Sequence, residues 1–199
     1  REFFVCMRIT DWIHILGLAV LGTAFYSYSA LFTPHALLGL GVAALYLAHG
    51  FSLNNYFDLV IDQYINKSYL PPRQVSYKKF LAFSYALFSG NCFLAYLISV
   101  KLLGLVVLGS ILALIYSAPP LRLKRFTYLN IILNSAGFAV IFLIGFIAVS
   151  GYISSAGLMM SALFGLIFIP LQIVHQISHA EDDKIENILT VFNRYGLKQ

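Results

Sequence analysis

The stretch that decides the fold runs from Pro34 to Asp62 and reads PHALLGLGVAALYLAHGFSLNNYFDLVID. It opens with a proline, which the first turn of a helix tolerates, and continues through about 20 mostly apolar residues, enough to cross a membrane. Asn54, Asp58 and Asp62 then follow at steps of four residues. Because four residues make about one helical turn, these side chains form a ladder of oxygen atoms about 6 Å apart.

This ladder has two interpretations. It is either a solvated helix end or a binding site for a hard cation at the edge of the membrane. Mg²⁺ prefers a few carboxylates, several waters and phosphate oxygens of a substrate, and such a ladder supplies the carboxylates without a complete protein cage.

The composition places the chain in a membrane. Of 199 residues, 60% are hydrophobic and 11% are charged, and the mean hydropathy is +0.82, well outside the range of soluble domains. Several stretches approach the length of a membrane-spanning helix, and none alternates with the period of two that barrel strands require. The sequence therefore predicts an all-α, multi-span transmembrane bundle. The net charge of +5 gives no sign of nucleic-acid binding, because the basic residues lie at the ends of the spans.

Six spans are predicted, at Trp12–Phe32, His35–Phe57, Phe80–Val100, Leu102–Ser117, Tyr128–Val149 and Gly157–Val174. With six spans, twelve of the 13 Lys and Arg residues fall on one side of the membrane, and only Lys101 falls on the other. The positive-inside rule makes the basic side cytoplasmic. The polar chemistry of the chain is therefore expected at the cytoplasmic face.

A second ladder is predicted at the same depth, at the end of the sixth span. It consists of His175, His179 and Asp183, again at steps of four residues, with Glu181 and Asp182 beside it. So many acidic groups repel one another unless a cation or basic residues lie between them.

Basic residues follow the ladders closely in the predicted topology. Lys67 and Arg73 come after the first ladder, and Arg122 and Lys124 come after the fourth span. Acidic ladders with nearby cations indicate a diphosphate site, in which metal ions bridge the diphosphate to carboxylates and basic side chains bind its outer oxygens. For each basic residue alone, a role in topology or in contact with lipid headgroups is the simpler explanation.

Asn130 and Asn134 lie one turn apart in the fifth span, where unpaired amides are costly. Two interpretations stay open for them: they face the polar pocket, or they form hydrogen bonds between helices.

These residues resemble the UbiA-type intramembrane prenyltransferases over essentially the whole chain. Asn54, Asp58 and Asp62 match the first motif of that family. Asn66-Lys67 and Pro72-Arg73 resemble its basic loop, and the run from Tyr116 to Lys124 is similar to the loop after its fourth helix.

The second motif of the family departs from the expected pattern. Members carry Asn or Asp, then Asp and Asp, at four-residue steps, whereas this chain has His175, His179 and Asp183. Either Glu181 or Asp182 replaces the missing ligand, or His179 contacts the diphosphate directly.

The resemblance implies Mg²⁺-dependent transfer of an isoprenyl group from an isoprenyl diphosphate to a hydrophobic or aromatic acceptor within the membrane lipid. It implies Asp58, Asp62 and Asp183 as catalytic residues. It implies metal ligands among Asn54, Asp58, Asp62, Glu181, Asp182 and Asp183, and substrate contacts from Asn54, Lys67, Arg73, Tyr116, Arg122, Lys124, His175 and His179. Members usually have nine spans, so the chain is expected to be a single domain truncated at its C-terminus or an abbreviated member.

Two rival classes stay open. His175, His179 and Asp183 have the spacing of a transition-metal site such as that of a membrane hydroxylase, although the other histidines are scattered and Gln176 stands where a zinc protease has Glu. A transporter or an inactive relative of the family also places carboxylates in a polar cavity.

Overall fold

The computed structural model describes residues 7–64 and 77–178. Within these residues, six helical spans are long and apolar enough to cross a membrane, and the first of them is the run of helical pieces from Ile9 to Tyr26. We number the main helix of each span α1 (Leu16–Tyr26), α2 (Pro34–Tyr64), α3 (Tyr77–Ile98), α4 (Val100–Ser117), α5 (Thr127–Ser150) and α6 (Ser155–Ser178). A short helical turn at Ile9–Trp12 and a 3-10 turn at Ile13–Ile15 lead into α1 and complete the first span. The predicted all-α bundle with six spans is confirmed.

The largest differences from the predicted boundaries concern the first two spans. The first was expected to continue to Phe32, but α1 ends at Tyr26 because Ser27 is extended, with φ −164° and ψ 134°. A 3-10 helix, Tyr28–Phe32, follows it. The second helix starts at the expected proline and continues past Phe57 to Tyr64, so its backbone carries all three rungs of the first ladder.

Helix α5 lies at the centre of the bundle and packs against α1, α2, α4 and α6. Its side chains Phe142, Ile144 and Ile147 are almost completely buried, in one core with Val42 of α2 and Val106 of α4. A helix that is apolar on nearly all sides is expected in this central position.

Helices α1 and α5 come into backbone contact at two glycines. A Cβ atom on Gly22 would overlap the carbonyl of Phe142, and one on Gly145 would overlap the carbonyl of Ala19. At the same crossing, the hydroxyl of Thr23 lies 3.2 Å from the carbonyl oxygen of Gly145. Small residues allow this close approach. Because lipid provides no hydrophobic driving force between helices, van der Waals packing and hydrogen bonds at such crossings stabilise the bundle.

Candidate active site at one end of the bundle

The first ladder lies in the last turns of α2, where the helix leaves the apolar core. Asp58 is only 3% exposed and Asn54 is half-buried. The solvated-end interpretation is therefore wrong for Asp58. Asp62 lies one turn further along the α2 backbone, and its side chain falls outside the described part of the chain.

Two cations from the connection between α4 and α5 converge on Asp58. An Nη atom of Arg122 donates to Oδ1 of Asp58 at 2.9 Å, and Nζ of Lys124 forms a short ion pair with Oδ2. Lys124 is 4% exposed, so this pair lies away from solvent. A buried charge is costly unless it is paired and hydrogen-bonded, and each of these charges has an opposite partner.

The connection between α4 and α5 folds back to bring these cations to α2. Helix α4 ends at Ser117, just before Pro119 and Pro120, as the sequence predicts. Arg122 then adopts the left-handed conformation, with φ 37° and ψ 60°, and a 3-10 turn follows at Leu123–Arg125. For a residue with a Cβ, that conformation costs about 1–2 kcal/mol. The ion pair of Arg122 with Asp58 offsets this cost, and such strain is typical of functional sites.

Asn54 is held in the same cluster by hydrogen bonds to its amide oxygen. Its Oδ1 accepts from the hydroxyl of Ser117 at 3.1 Å and from Nζ of Lys124 at 3.3 Å. Lys124 therefore bridges Asn54 and Asp58, and the hydrogen bond of Ser117 joins the end of α4 to α2.

The two asparagines of α5 form the next layer of polar contacts. Nδ2 of Asn130 donates to the backbone carbonyl of Lys124 at 3.1 Å, and Oδ1 of Asn130 accepts from the hydroxyl of Tyr116 at 3.1 Å. Nδ2 of Asn134 lies 3.0 Å from that hydroxyl and 2.7 Å from Oδ1 of Asn130. The interpretation that these amides form hydrogen bonds between helices is therefore confirmed, and the bonds lie beside the ladder.

The donor set at the ladder fits a hard divalent cation. Asn54 and Asp58 offer amide and carboxylate oxygens on one helix face, and both side chains are shielded by the bundle. Among the side chains that the structure describes, which do not include those of Asp62 and His175, no three His, Cys, Asp or Glu residues lie close enough to form a complete metal site. Asn54 and Asp58 would therefore form part of a ligand set.

Several predicted site residues lie outside the described residues. These are Lys67, Arg73, His179, Glu181, Asp182 and Asp183. For His175 the helical backbone of α6 is described, but the side chain is not. Of the predicted set, the structure brings Asn54, Asp58, Tyr116, Arg122 and Lys124 into one connected cluster.

Ser117 was not predicted as a site residue, although it hydrogen-bonds Asn54. Its only signal in the sequence was its place beside Tyr116 in the run before the two prolines. Nor did the sequence place Asn130 against the carbonyl of Lys124, because that contact depends on the path of the loop.

The fold and this cluster define an integral membrane bundle with buried ion pairs at one end. The sequence model of the UbiA prenyltransferase family matches residues 15–199. The chain therefore belongs to the UbiA prenyltransferase family.

Solved structures with the same fold agree with this assignment. A UbiA homologue from Archaeoglobus fulgidus bound to DMAPP and Mg²⁺ superposes with a TM-score of 0.83 at 21% identity, over 98% of this chain and 70% of that one. The same homologue bound to GPP and Mg²⁺ gives a TM-score of 0.82 at 21% identity, with the same coverage of both chains.

A digeranylgeranylglyceryl phosphate synthase gives a TM-score of 0.77 at 21% identity, over 99% of this chain and 69% of that one. A comparison with curated protein sequences found no significant match. At these identities the structural likeness shows the shared fold.

Proposed function

We propose that the chain transfers an isoprenyl group from an isoprenyl diphosphate to a hydrophobic or aromatic acceptor within the membrane, with Mg²⁺ as cofactor. The observation that carries this proposal is the buried cluster in which Arg122 and Lys124 meet Asp58 beside Asn54. Family membership and the complexes of the Archaeoglobus fulgidus homologue with DMAPP or GPP and Mg²⁺ support it.

In this proposal the ladders hold the metal and the basic residues hold the diphosphate. Metal ligands would come from Asn54, Asp58 and Asp62 of the first ladder and from Glu181, Asp182 and Asp183 of the second. The diphosphate would be bound by Arg122 and Lys124, with further contacts from Lys67, Arg73, Tyr116, His175 and His179. When bound, Mg²⁺ supplies Lewis-acid stabilisation of the departing diphosphate.

The reaction breaks the allylic C–O bond of the isoprenyl diphosphate, and the diphosphate leaves with the electron pair. The guanidinium of Arg122 and the ammonium of Lys124 stabilise the negative charge that develops on the leaving oxygen. A buried site strengthens this effect, because fixed charges act more strongly where water is excluded. The acceptor then forms the new bond to the allylic carbon and loses a proton.

A face of α5 connects this cluster to the apolar interior. Phe138 and Phe142 follow Asn130 and Asn134 along α5 at further steps of four residues. Phe138 stacks on Phe168 of α6 with ring centroids 4.2 Å apart, and Phe142 stacks on Phe164 at 5.1 Å. The faces of these rings are packed against α6, so they join α5 to α6 beside the polar cluster.

The site is proposed to face the cytoplasm. The side chains of Asn54, Asp58, Arg122 and Lys124 share one end of the bundle, whereas Lys101 lies 3.5 Å from the carbonyl of Gly151 at the junction after α5. The excess of Lys and Arg at the end that holds the ladder supports a cytoplasmic orientation.

The test is release of diphosphate by the full chain in membrane vesicles. Labelled isoprenyl diphosphates of several lengths are supplied with Mg²⁺ and a panel of acceptors, and products are identified by mass spectrometry. Asp58→Asn should abolish Mg²⁺-dependent release, whereas Asp11→Asn, in an exposed ion pair, should not. Full release by Asp58→Asn would contradict the assignment. A folded wild-type chain that consumes none of the substrates would favour an inactive relative of the family.

A further inference from the structure

A cavity lies at the end of the bundle opposite the ladder, and the proposed function makes no use of it. Its volume of about 690 Å³ is within the range of small-molecule sites. It is formed where α1 and α5 end and where α2 begins. Its polar lining residues are Tyr26, Ser27, Ser29, Thr33, His35 and Ser150.

Two of the hydroxyl groups in this cavity already donate within the protein. Thr33 donates to a backbone carbonyl at 2.7 Å, and Ser150 donates to another at 2.9 Å. The Oγ atoms of Ser27 and Ser29 lie 2.9 Å apart, so one of these hydroxyls donates to the other. The proton of the second hydroxyl is then available to a ligand.

The other polar groups at the cavity also offer hydrogen-bond donors. Tyr26 has a phenolic hydroxyl, and the imidazole of His35 carries an N–H in either tautomer. Nζ of Lys101 lies 3.5 Å from the carbonyl oxygen of Gly151, which lines the cavity. Its ammonium brings three donors and a positive charge. Donors beside a positive charge suit an anion, because hydrogen bonds between charged groups are the strong ones.

The sequence has no acidic residue in the connections at this end of the bundle. Every Asp and Glu of the chain stands within residues 1–11, 58–62 or 181–186. The connections that follow α1, α3 and α5 contain none. The positive charge of Lys101 therefore meets no carboxylate in these connections, and it matches a ligand with one negative charge.

The depth of the cavity indicates the source of the anion. The ends of membrane-spanning helices lie near the lipid headgroups. Tyr28, Phe32 and Tyr152, on the connections around the cavity, are 74%, 80% and 45% exposed. Exposed aromatic residues of this kind are typical of the boundary between membrane and water. The phosphate of a phospholipid reaches this depth without leaving the bilayer.

We propose that this cavity binds the headgroup of an anionic phospholipid in the leaflet opposite the ladder. Its phosphate accepts hydrogen bonds from Lys101, Tyr26, His35 and the pair of Ser27 with Ser29. A headgroup with one negative charge and free hydroxyls, such as that of phosphatidylglycerol, suits both the ammonium and the hydroxyl lining. A choline headgroup adds a positive charge for which the lining offers no acidic partner.

The test measures how tightly the purified full chain retains lipids in a neutral detergent. Native mass spectrometry compares phosphatidylglycerol with phosphatidylcholine of the same acyl chains. The wild type should bind one phosphatidylglycerol more tightly than phosphatidylcholine. Lys101→Met should weaken phosphatidylglycerol about fivefold, because it removes one charge beside an anionic lipid, and should leave phosphatidylcholine unchanged. Tyr26→Phe should also weaken phosphatidylglycerol, because it removes a donor and keeps the ring.

Lys78→Met is the matched control, because it removes an exposed lysine at the start of α3. It should leave the affinity for phosphatidylglycerol unchanged. If Lys101→Met does not fold, Lys101→Gln and Tyr26→Phe provide the same comparison. Equal weakening by Lys78→Met, or equal affinity of the wild type for both lipids, would overturn the inference. Glycerophosphoglycerol, which lacks acyl chains, should bind more weakly than the lipid; if it bound as tightly, the ligand would be a soluble phosphodiester and the assignment to a lipid would fail.

Discussion

Replacing Asp58 with alanine should destabilise the fold strongly, because it removes the carboxylate on which two buried cations converge. The side chains of Asp58, Lys124 and Arg122 are 5%, 6% and 13% exposed. Breaking a buried ion pair by removing one partner costs about 3–5 kcal/mol, and here two cations lose the same partner. For a domain of this size, 1 kcal/mol shifts Tm by about 2–4 °C, so the loss is roughly 6–20 °C.

The chain contains a matched control for this measurement. Asp11 pairs with Arg8 at 2.6 Å in an i,i+3 arrangement, and their side chains are 37% and 20% exposed. Exposed pairs contribute at most about 1 kcal/mol, so Asp11→Ala should lower Tm by no more than about 4 °C. Thermal unfolding of both variants in the same detergent, without metal or diphosphate, gives the comparison.

A double-mutant cycle assigns the effect to the ion pair. Adding Lys124→Met to Asp58→Ala removes one of the two cations that lose this carboxylate, so the two substitutions should be non-additive by about 1–3 kcal/mol. Strict additivity would refute the pairing of Asp58 with Lys124. A loss for Asp58→Ala no larger than for Asp11→Ala would refute the burial argument.

Three further predictions follow from the packing and the topology. Gly145→Ala should disrupt the contact of α1 with α5 and reduce the yield of folded protein, whereas Gly104→Ala, in open space, should leave folding unchanged or slightly improved, as judged by size-exclusion profile and Tm. Asn130→Ala leaves the Lys124 carbonyl and the Tyr116 hydroxyl without this amide and should cost about 1–3 kcal/mol in thermal unfolding. On a cysteine-free background, Arg125→Cys should react with a membrane-impermeant thiol reagent only from the cytoplasmic side and Tyr152→Cys only from the opposite side; the reverse pattern would refute the proposed orientation.

Much of the fold was predictable because membrane insertion is governed by local properties. A helix must satisfy its own backbone hydrogen bonds in lipid, so the length of an apolar run predicts a span directly. The helix starting at Pro34 followed from this rule. The end of α1 at Tyr26 could not be predicted in this way, because hydropathy does not indicate that Ser27 adopts an extended conformation.

The candidate site was predictable in its residue types and only partly in its contacts. Helical periodicity alone put Asn54 and Asp58 on one face, and chain topology put Arg122 and Lys124 at the same end of the bundle. The prediction that these cations bind diphosphate stays a prediction. In the structure they contact Asp58 itself, which no spacing within the sequence could indicate.

The number of spans, the end of the bundle that carries the charges and the rungs of the ladder could all be predicted without a structure. These properties depend on the length of apolar runs and on the turn of a single helix. The folded bundle was needed to show that Lys124, 66 residues after Asp58, reaches that carboxylate and that Asn130 hydrogen-bonds the loop. Those contacts depend on how the helices rotate and approach one another, which in turn depends on packing such as the glycine crossing of α1 with α5.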